Sequence, residues 1–457
     1  MKKSFLEDIL NEALSTGADY AEIYYEEAST KIIRLNDSKI DSIDSNNDKG
    51  IGIRITKGEE SFYTSTNNLK IDNLKKIIKK IQKNFSQESP KKILLTEIVD
   101  KTKKAIISHD EYPMKKKKEL LYKIDTTARN QSELISQVSA GIVETDRTFT
   151  IVNSNGKYTK GNSTLTRIIA TVYSEREGNK EHEFIDYAGG VGFELLDNFD
   201  VENVIKKAAK TAIEKLDAKD FKGGELPVVI APGFGAVIFH EACGHGLEAT
   251  SVAPHLSVFS DDLGKKVATS KVTLIDDGTI DNAWGSFTID DEGNPSQKNV
   301  LIENGILKKY LVDQFNSTKM NQKANGCGRR QSYRYATTSR MSNTYLAPGN
   351  DKIEDMIKSI NLGIYCEKMS GGSVNPATGD FNFAVDTARL IEKGKIKHLL
   401  KGITLIGNSK EILKNVEMIS DDLVISAGYC GSKSGTIPVT IGQPTIKVSK
   451  ILVGGKE

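Results

Sequence analysis

The 457-residue chain lacks several features that mark particular classes of protein. Its four cysteines have no paired spacing, so we expect no disulfide framework. The 63 basic residues are balanced by 61 acidic ones, and the net charge of +2 indicates no polyanionic partner such as nucleic acid. No segment reaches the ~18 consecutive apolar residues of a transmembrane helix, and Glu7, Asp8 and Glu12 interrupt the place where a signal peptide needs its apolar core. These absences predict a cytoplasmic protein that binds neither nucleic acid nor membrane.

The periodicity of the apolar residues predicts an α+β fold with mixed or antiparallel sheets. We expect helices in the N-terminal part and a strand-rich C-terminal domain that is dense in glycine turns. Helical periodicity is found at residues 5–14, 69–85, 113–129 and 201–216, and strand-like runs at residues 21–25, 31–35, 50–55, 136–140, 147–152 and 163–173. A predicted linker at residues 86–90 and a polar hinge at residues 219–225 divide the chain into an N-terminal α/β lobe (1–88), a central α/β region (89–222) and a C-terminal domain (223–457).

One run of nine residues, HEACGHGLE at positions 240–248, holds two of the six histidines of the chain. Neutral imidazoles bind zinc, and a carboxylate beside them can take a proton from metal-bound water. His240 and His245 are separated by five positions, however, where the familiar zincin pattern has four. A regular helix would turn such a pair ~140° apart. Either the two histidines share no metal, or the helix is deformed between them, which Gly244 and Gly246 would permit.

The residues before this run predict a buried setting for it. The apolar run at residues 226–231 predicts a strand, Pro232 and Gly233 indicate a turn, and residues 234–248 predict a mostly apolar helix that carries the motif. Charged groups in such a helix need partners, because burying a charge is expensive unless it is paired or bound to a metal.

A zinc hydrolase needs a third protein ligand and keeps one position open. Glu248 and His255 are nearby candidates, and Cys430 is a distant one in a glycine-rich turn between two apolar strands. Spacing slightly favours Glu248, whereas a thiolate such as Cys430 is a strong zinc ligand. The residues alone leave this choice open.

These motifs, together with others in the C-terminal half, resemble the TldD/PmbA peptidase family over the whole chain. The other matching stretches begin at Ser339 (SRMSNTY), Gly371 (GGSVNPATGDFNF), Leu390 (LIEKG), Gly402 (GITLIGN), Cys430 (CGSK) and Gly442 (GQP). The family has a catalytic branch and a branch that has lost the His-Glu run and the late cysteine. The chain keeps both features, so it resembles the catalytic, TldD-type branch.

The resemblance implies a metallopeptidase, a hydrolase acting on peptide bonds, with one Zn²⁺ per active site. It implies His240, His245 and Cys430 as the ligands and Glu241 as the base that activates the zinc-bound water. Glu248 then becomes a carboxylate that orients His245. The family also implies a dimer, either a homodimer or a heterodimer with a TldE/PmbA-type paralogue, whose cavity admits unfolded peptides or small proteins.

Further side chains are candidates for less certain roles. Arg340 can bind a peptide carboxylate or an acid of the active site, or form a structural ion pair. Asn375 and Asp380 lie in a loop after a glycine pair and are candidates for substrate contact. His109, His182 and His398 have polar surroundings and are predicted at the surface.

A competing interpretation makes the chain a non-catalytic peptide-binding or regulatory partner with a structural or absent metal. A structural zinc normally has four protein ligands. The chain offers three obvious ligands with a carboxylate beside them, which favours hydrolysis.

Overall fold

The computed structural model describes residues 2–82 and 93–455. The linker predicted at residues 86–90, and the boundary predicted between residues 88 and 89, lie outside the described residues. Within them, no helix is long and apolar enough to cross a membrane.

The first half of the described chain is built on one sheet of long strands. Its elements are α1 (Lys3–Leu14), β1 (Tyr20–Asn36), β2 (Lys39–Lys57), β3 (Glu60–Thr66), α2 (Ile71–Gln82), β4 (Glu97–Asp100), α3 (Met114–Arg129), β5 (Ile135–Asn153), β6 (Lys157–Arg176), β7 (Asn179–Gly189) and α4 (Val201–Lys215). The strand order is β3-β2-β1-β5-β6-β4, with β7 paired to β6. The pairs are antiparallel except for β4 with β6, which is parallel.

Two pairs of helices cover this sheet and form separate cores. Leu6 of α1 and Leu74 of α2 belong to one cluster of buried apolar residues, which includes Ile53 of β2. Leu121 of α3 and Ile205 of α4 belong to the other. Each helix therefore buries its apolar stripe against the apolar residues of the strands, which alternate along each strand with residues that point to the opposite face of the sheet.

The runs predicted as separate strands at residues 21–25 and 31–35 are one strand, β1, which pairs with β2 and β5 through the polar residues between them. Glu26 in this polar stretch is buried beside Arg147 of β5, at 3.9 Å. Polar residues interrupt the alternation of apolar residues, but the backbone hydrogen bonds between the strands continue past them. Periodicity therefore predicted two strands where the structure has one.

The second half contains two larger sheets and a two-stranded one, in which Gly328–Arg329 pairs with Thr338–Ser339. Its elements are β8 (Gly224–Ile230), α5 (Val237–Phe239), α6 (Ala249–Val252), β9 (Leu274–Asp277), β10 (Lys298–Glu303), β11 (Ile306–Leu307), α7 (Gln314–Met320), β12 (Gly328–Arg329), β13 (Thr338–Ser339), β14 (Asn343–Leu346), α8 (Ile353–Lys358), β15 (Leu362–Val374), β16 (Asp380–Glu392), β17 (Lys395–Leu400), β18 (Thr404–Asn408), α9 (Ser409–Asn415), β19 (Val416–Ile419), β20 (Val424–Ser432), β21 (Gly435–Gln443) and β22 (Ile446–Gly454). One sheet has the order β11-β10-β9-β14-β21-β20, and the other β15-β8-β22-β18-β16-β17, with β19 on β22. The predicted α+β class with mixed and antiparallel sheets is confirmed.

The largest apolar cluster of the described chain joins the two C-terminal sheets. It includes Val228 of β8, Leu274 of β9, Phe383 of β16 and Ile441 of β21, together with Phe239, which directly precedes the His-Glu run. The run is therefore held in the centre of the C-terminal half, between its sheets.

Buried ion pairs connect the N-terminal sheet to the C-terminal half. Arg330 donates to Glu22 of β1 at 2.6 Å, and Arg54 of β2 donates to Glu292 at 3.0 Å. All four side chains are buried. Charges in such surroundings are tolerated because each has a partner of opposite sign.

The prediction of a surface position is wrong for His109, although His182 and His398 are exposed. His109 is buried, with Nδ1 2.6 Å from Asp146 and Nε2 2.9 Å from Thr166 Oγ1. These two partners come from strands distant in sequence, so its polar neighbours along the chain did not reveal its burial.

Candidate metal centre

The segment that carries the His-Glu run is helical but irregular. The continuous helix predicted for residues 234–248 is wrong, because a 3-10 turn (Phe234–Ala236), α5, a π turn (His240–Gly244) and a second 3-10 turn (His245–Leu247) follow one another. The N–H of His245 donates to the carbonyl of His240, which is the i to i+5 bond of a π-helix. Of the two alternatives left open by the sequence, the structure therefore has the deformed helix.

The π turn explains the five-residue spacing of the histidines. It brings the imidazoles of His240 and His245 to the same side, with ring centroids 5.3 Å apart and planes at 83°. Single π turns inside helices are rare and are frequent at functional sites. Gly244 is needed in this turn, since a Cβ atom there would lie 1.9 Å from Sδ of the fully buried Met341.

The third member of the cluster, Cys430, comes from β20, close to the hairpin turn that joins β20 to β21. Its Sγ lies 3.2 Å from His245 Nε2. One potential ligand atom from each of His240, His245 and Cys430 lies within 4.8 Å of the others. The three residues are 3%, 8% and 2% exposed, so the cluster is largely shielded from solvent.

Two carboxylates from the run flank His245 and have different environments. Glu248 Oε2 lies 3.1 Å from His245 Nδ1, and its side chain is 3% exposed. Glu241 Oε2 lies 3.6 Å from His245 Nε2, on the side of the ring that faces Cys430, and its side chain is 22% exposed. Glu241 is therefore the more open carboxylate, and Glu248 is the buried one.

The electrostatics of the cluster favour a thiolate. Burial opposes ionisation of Cys430, but the imidazoles of His245 and His240 lower the pKa of its thiol well below the ordinary value. Burial also lowers the pKa of His245, but Glu248 and Cys430 together raise it well above the ordinary value. The thiolate is the form of cysteine that binds metals.

Arg340 is fully buried beneath the cluster. It donates from Nη2 to the carbonyl of Cys430 at 2.6 Å and from Nη1 to Ser434 Oγ and the carbonyl of Gly435, both at 2.9 Å. Its Nε lies 3.9 Å from Glu248. The structure thus brings Arg340 to a carboxylate of the site and to the turn that carries Cys430, and leaves it without access to solvent.

The other sequence candidates lie apart from this cluster. His255 is exposed and lies 3.8 Å from Asp261. Asn375 accepts from the N–H of Ala377, and Asp380 accepts from Asn408 Nδ2. Among the described residues, no hydrogen bond links these three side chains to His240, His245 or Cys430.

Sequence reasoning missed Trp284, the single tryptophan of the chain. Its Nε1 donates to the carbonyl of Gly428 at 3.0 Å, and its ring meets Tyr429 edge-on at 5.6 Å. Trp284 therefore supports β20 immediately before Cys430. It lies in a loop far from β20 in sequence, and no local pattern indicates this contact.

Comparisons with known proteins agree with this picture. The family models for the PmbA/TldA metallopeptidase domain 1, central domain and C-terminal domain match residues 21–84, 107–216 and 223–455. The chain is 34% identical over 457 residues to the metalloprotease TldD homologue of Buchnera aphidicola, covering 98% of this chain and 95% of the relative. It is 34% identical over 450 residues to the homologue of Haemophilus influenzae, covering 96% and 93%.

Two further similarities concern the metal and the fold. A zinc metalloprotease TldD homologue of Saccharolobus solfataricus is 34% identical over 262 residues, covering 57% of this chain and 58% of the relative. The crystal structure of TldE from Thermococcus kodakarensis superimposes with a TM-score of 0.78 at 20% identity, covering 99% of this chain and 100% of that one. The two chains share a fold from end to end.

Proposed function

The chain belongs to the PmbA/TldD metallopeptidase family and is a metallopeptidase, a hydrolase acting on peptide bonds, and from this premise we propose that it is a zinc-dependent peptidase. One Zn²⁺ per active site is held by His240, His245 and Cys430, and Glu241 is the general base. The observation that carries the proposal is the close approach of three ligand atoms, all within 4.8 Å of one another, beside an open carboxylate.

The residues of the cluster fit a zinc ion. Two imidazole nitrogens and a thiolate are ligands that zinc prefers. Both ring nitrogens of His240 are buried and have no hydrogen-bond partner among the described residues. Leaving a buried polar group unpaired costs about 1–3 kcal/mol, and binding a metal would remove that cost for the nitrogen involved. Three protein ligands also leave a position free, as catalytic zinc sites require.

A zinc ion bound there would supply a Lewis acid that polarises the peptide carbonyl and makes water a nucleophile at neutral pH. Glu241 accepts the proton of the attacking water and returns it to the leaving amine. Its greater exposure suits this role, because the carboxylate must reach both water and substrate. Glu248 is too deeply buried for that exchange.

Glu248 and Arg340 position the ligands. Glu248 accepts a hydrogen bond from Nδ1 of His245, which leaves Nε2, the nitrogen next to Cys430, free to bind the metal. Arg340 fixes the carbonyl of Cys430 and lies near Glu248. This division of tasks supports the family ligand set.

The substrate is proposed to be an extended, unfolded peptide that binds as an added strand. Within the described chain, β20 is the last strand of its sheet and pairs with β21 alone. Its other edge presents backbone N–H and C=O groups next to Cys430. Pairing with such an edge gives affinity through main-chain hydrogen bonds. Asn375 and Asp380, which lie apart from the metal cluster, remain candidates for substrate contact.

We also infer a dimer, formed with a second copy or with a TldE/PmbA-type paralogue, that encloses the site in a cavity. Family membership and the fold shared with a TldE protein support this partnership. The mass and composition of the complex purified from the native host distinguish the two partners. A cytoplasmic location is part of the proposal, since all four cysteines are unpaired thiols, as is usual in a reducing compartment.

The test is cleavage of an unfolded protein by the purified complex, with zinc measured in the same sample. We expect one zinc per intact site, loss of cleavage on treatment with a chelator, and recovery when zinc is added back. A protein that binds the unfolded substrate, with or without zinc, and leaves it intact would instead be the non-catalytic partner.

A further inference from the structure

A cavity of 590 Å³ lies between the central region and the C-terminal half. One wall is the β6–β7 hairpin, whose residues alternate between the core beneath it and the cavity. The opposite wall is formed by β15, β20 and Phe234. The volume lies within the ~300–1,000 Å³ of typical ligand sites.

Four tyrosine and phenylalanine rings line part of this cavity. Tyr173 and Phe184 contribute rings from the hairpin, and Phe234 and Tyr429 contribute rings from the C-terminal half. Phe184 and Tyr429 are 38% and 47% exposed, so both rings remain available for contact. Apolar rings left partly open in a concave site favour a ligand that covers them.

The charged groups of the cavity are already paired. Arg167 makes two parallel hydrogen bonds to Asp186, at 2.7 and 2.6 Å. Lys368 contacts Glu183 and lies 3.8 Å from Asp386, which also accepts from Lys215 at 2.9 Å. A charged ligand would have to break these pairs or remain unpaired, so the cavity favours an uncharged group.

The cavity adjoins the candidate metal centre through two elements. Gly428 lines it and lies two residues before Cys430, a distance of about 7 Å along a strand. Residues two apart point to the same face, and a Cβ atom on Gly428 would lie 3.4 Å from the ring of Phe234. Phe234 in turn begins the helical segment that leads to His240. The cavity therefore reaches β20 beside Cys430. Gly428 lies on the face of the strand that carries the Cys430 thiol, and Tyr429, which points to the opposite face, lines the cavity as well.

The geometry points to a subsite for a bulky apolar side chain, aromatic by preference, belonging to a substrate residue one or two positions from the bond that is cut. This inference rests on the proposed peptidase function and adds to it a side-chain preference that main-chain pairing alone would not give. The aromatic rings supply the contact area, and the paired charges around them exclude acidic and basic side chains.

The test begins by locating cut bonds in an unfolded protein by mass spectrometry. Peptides spanning one such bond are then made with Phe, Leu, Ala, Asp or Lys at each of the two positions on either side. We expect one position at which Phe or Leu raises kcat/KM over Ala and Asp by about 10- to 100-fold. Phe184→Ala should reduce that ratio by about three- to tenfold. Tyr122→Ala, which removes a comparably exposed ring from α3, should leave the ratio unchanged.

Binding provides a second measurement that does not depend on cleavage. Fluorescence anisotropy of labelled Phe and Asp peptides with the Glu241→Gln protein should show the same preference and the same loss in Phe184→Ala. Equal kcat/KM for Phe and Asp at all four positions, or a preference that Phe184→Ala leaves intact, would overturn the subsite and leave the peptidase standing. If the wild-type protein cuts no peptide but still binds the Phe peptide more tightly than the Asp peptide, the subsite stands and the proposed peptidase function is wrong.

Discussion

Cys430 is the residue on which the ligand assignment depends most. The other two proposed ligands are neighbours in one turn, whereas Cys430 reaches the cluster from a strand 185 positions beyond His245. We predict that Cys430→Ser weakens zinc binding by more than about 100-fold, because serine is a poor ligand at neutral pH and even residues that only orient ligands are worth about 10–100-fold. Zinc content and a competition titration with a chelator measure this loss.

The matched control is Cys243→Ala, which removes the cysteine that lies inside the His-Glu run. Cys243 is buried among apolar residues, and burial raises the pKa of its thiol above the ordinary value, so we expect this variant to keep its zinc. Full zinc content in Cys430→Ser would instead remove Cys430 from the ligand set and make Glu248 the candidate.

A substitution at Glu241 can separate zinc binding from the cleavage of the peptide bond. We predict that Glu241→Gln keeps zinc but lowers kcat by about 100- to 10,000-fold, since the amide retains the shape of the side chain and cannot accept a proton. Elemental analysis and peptide cleavage on the same preparation test both halves of this prediction. Activity near that of the wild type would show that another group is the base.

The sequence predicted the candidate ligands but not the residues that hold them. His240, His245 and Glu248 are recognisable because they are close together in sequence, and Cys430 because it matches a family motif. The contacts of Arg340 with the Cys430 carbonyl, and of Trp284 with the Gly428 carbonyl, join segments far apart in the chain. No local pattern encodes such contacts, since they depend on how the two C-terminal sheets pack.

The π turn is the structural element that the sequence predicts only in part. A five-residue spacing, with glycines around the second histidine, predicts that a shared metal requires a deformed helix. It does not predict that the deformation is a single π turn between α5 and a 3-10 turn. Tertiary packing restricts position 244 to glycine, because Met341 occupies the space in which a side chain there would lie.

This packing gives a prediction for Gly244→Ala. The added Cβ would lie 1.9 Å from Met341 Sδ, so the turn or the methionine must move. We expect a loss of about 1–3 kcal/mol in the free energy of unfolding, typical of overpacking, together with weaker zinc binding as His245 shifts. Gly224→Ala is the control, because a Cβ atom there meets no atom within 4 Å.

A double-mutant cycle identifies the cause. Met341→Ala removes the obstructing side chain, so the double variant should be less destabilised than the sum of the two single variants. Urea denaturation of the four proteins measures this coupling. Additive losses would show that Gly244 is required for a reason other than the space that Met341 fills.

Buried ion pairs join the N-terminal sheet to the C-terminal half, and we expect them to stabilise the contact between the two halves of the molecule. Arg330 is fully buried, contacts Glu22 of β1, and also donates to the carbonyl of Asp291 at 2.9 Å. We predict that Glu22→Ala lowers the free energy of unfolding by about 3–5 kcal/mol, because it leaves a buried guanidinium without its counter-charge. Urea denaturation measures the loss.

The control for this prediction is an ion pair at the surface. Glu202→Ala removes the exposed partner of Lys206 on α4, and we expect little change in stability. Equal effects of the two substitutions would mean that the buried pair contributes no more than an exposed one. The sequence could not have predicted the pair at positions 22 and 330, since the two residues are 308 positions apart and no local pattern joins them.

The depth of the candidate site sets the kind of protein that can be cut. His240, His245 and Cys430 are 3%, 8% and 2% exposed, and the adjoining cavity is enclosed by the β6–β7 hairpin and the C-terminal sheets. Only an extended chain can place a peptide bond beside β20, and a folded domain would first have to release several residues. We therefore predict that one protein is cut at many bonds when it is unfolded and resists cleavage when it is folded.

Comparing a stable domain with a destabilised variant of it, at equal concentration, tests this prediction. Cleavage should follow the unfolded fraction, and rapid cleavage that does not depend on unfolding would contradict a buried site that accepts its substrate as an added strand.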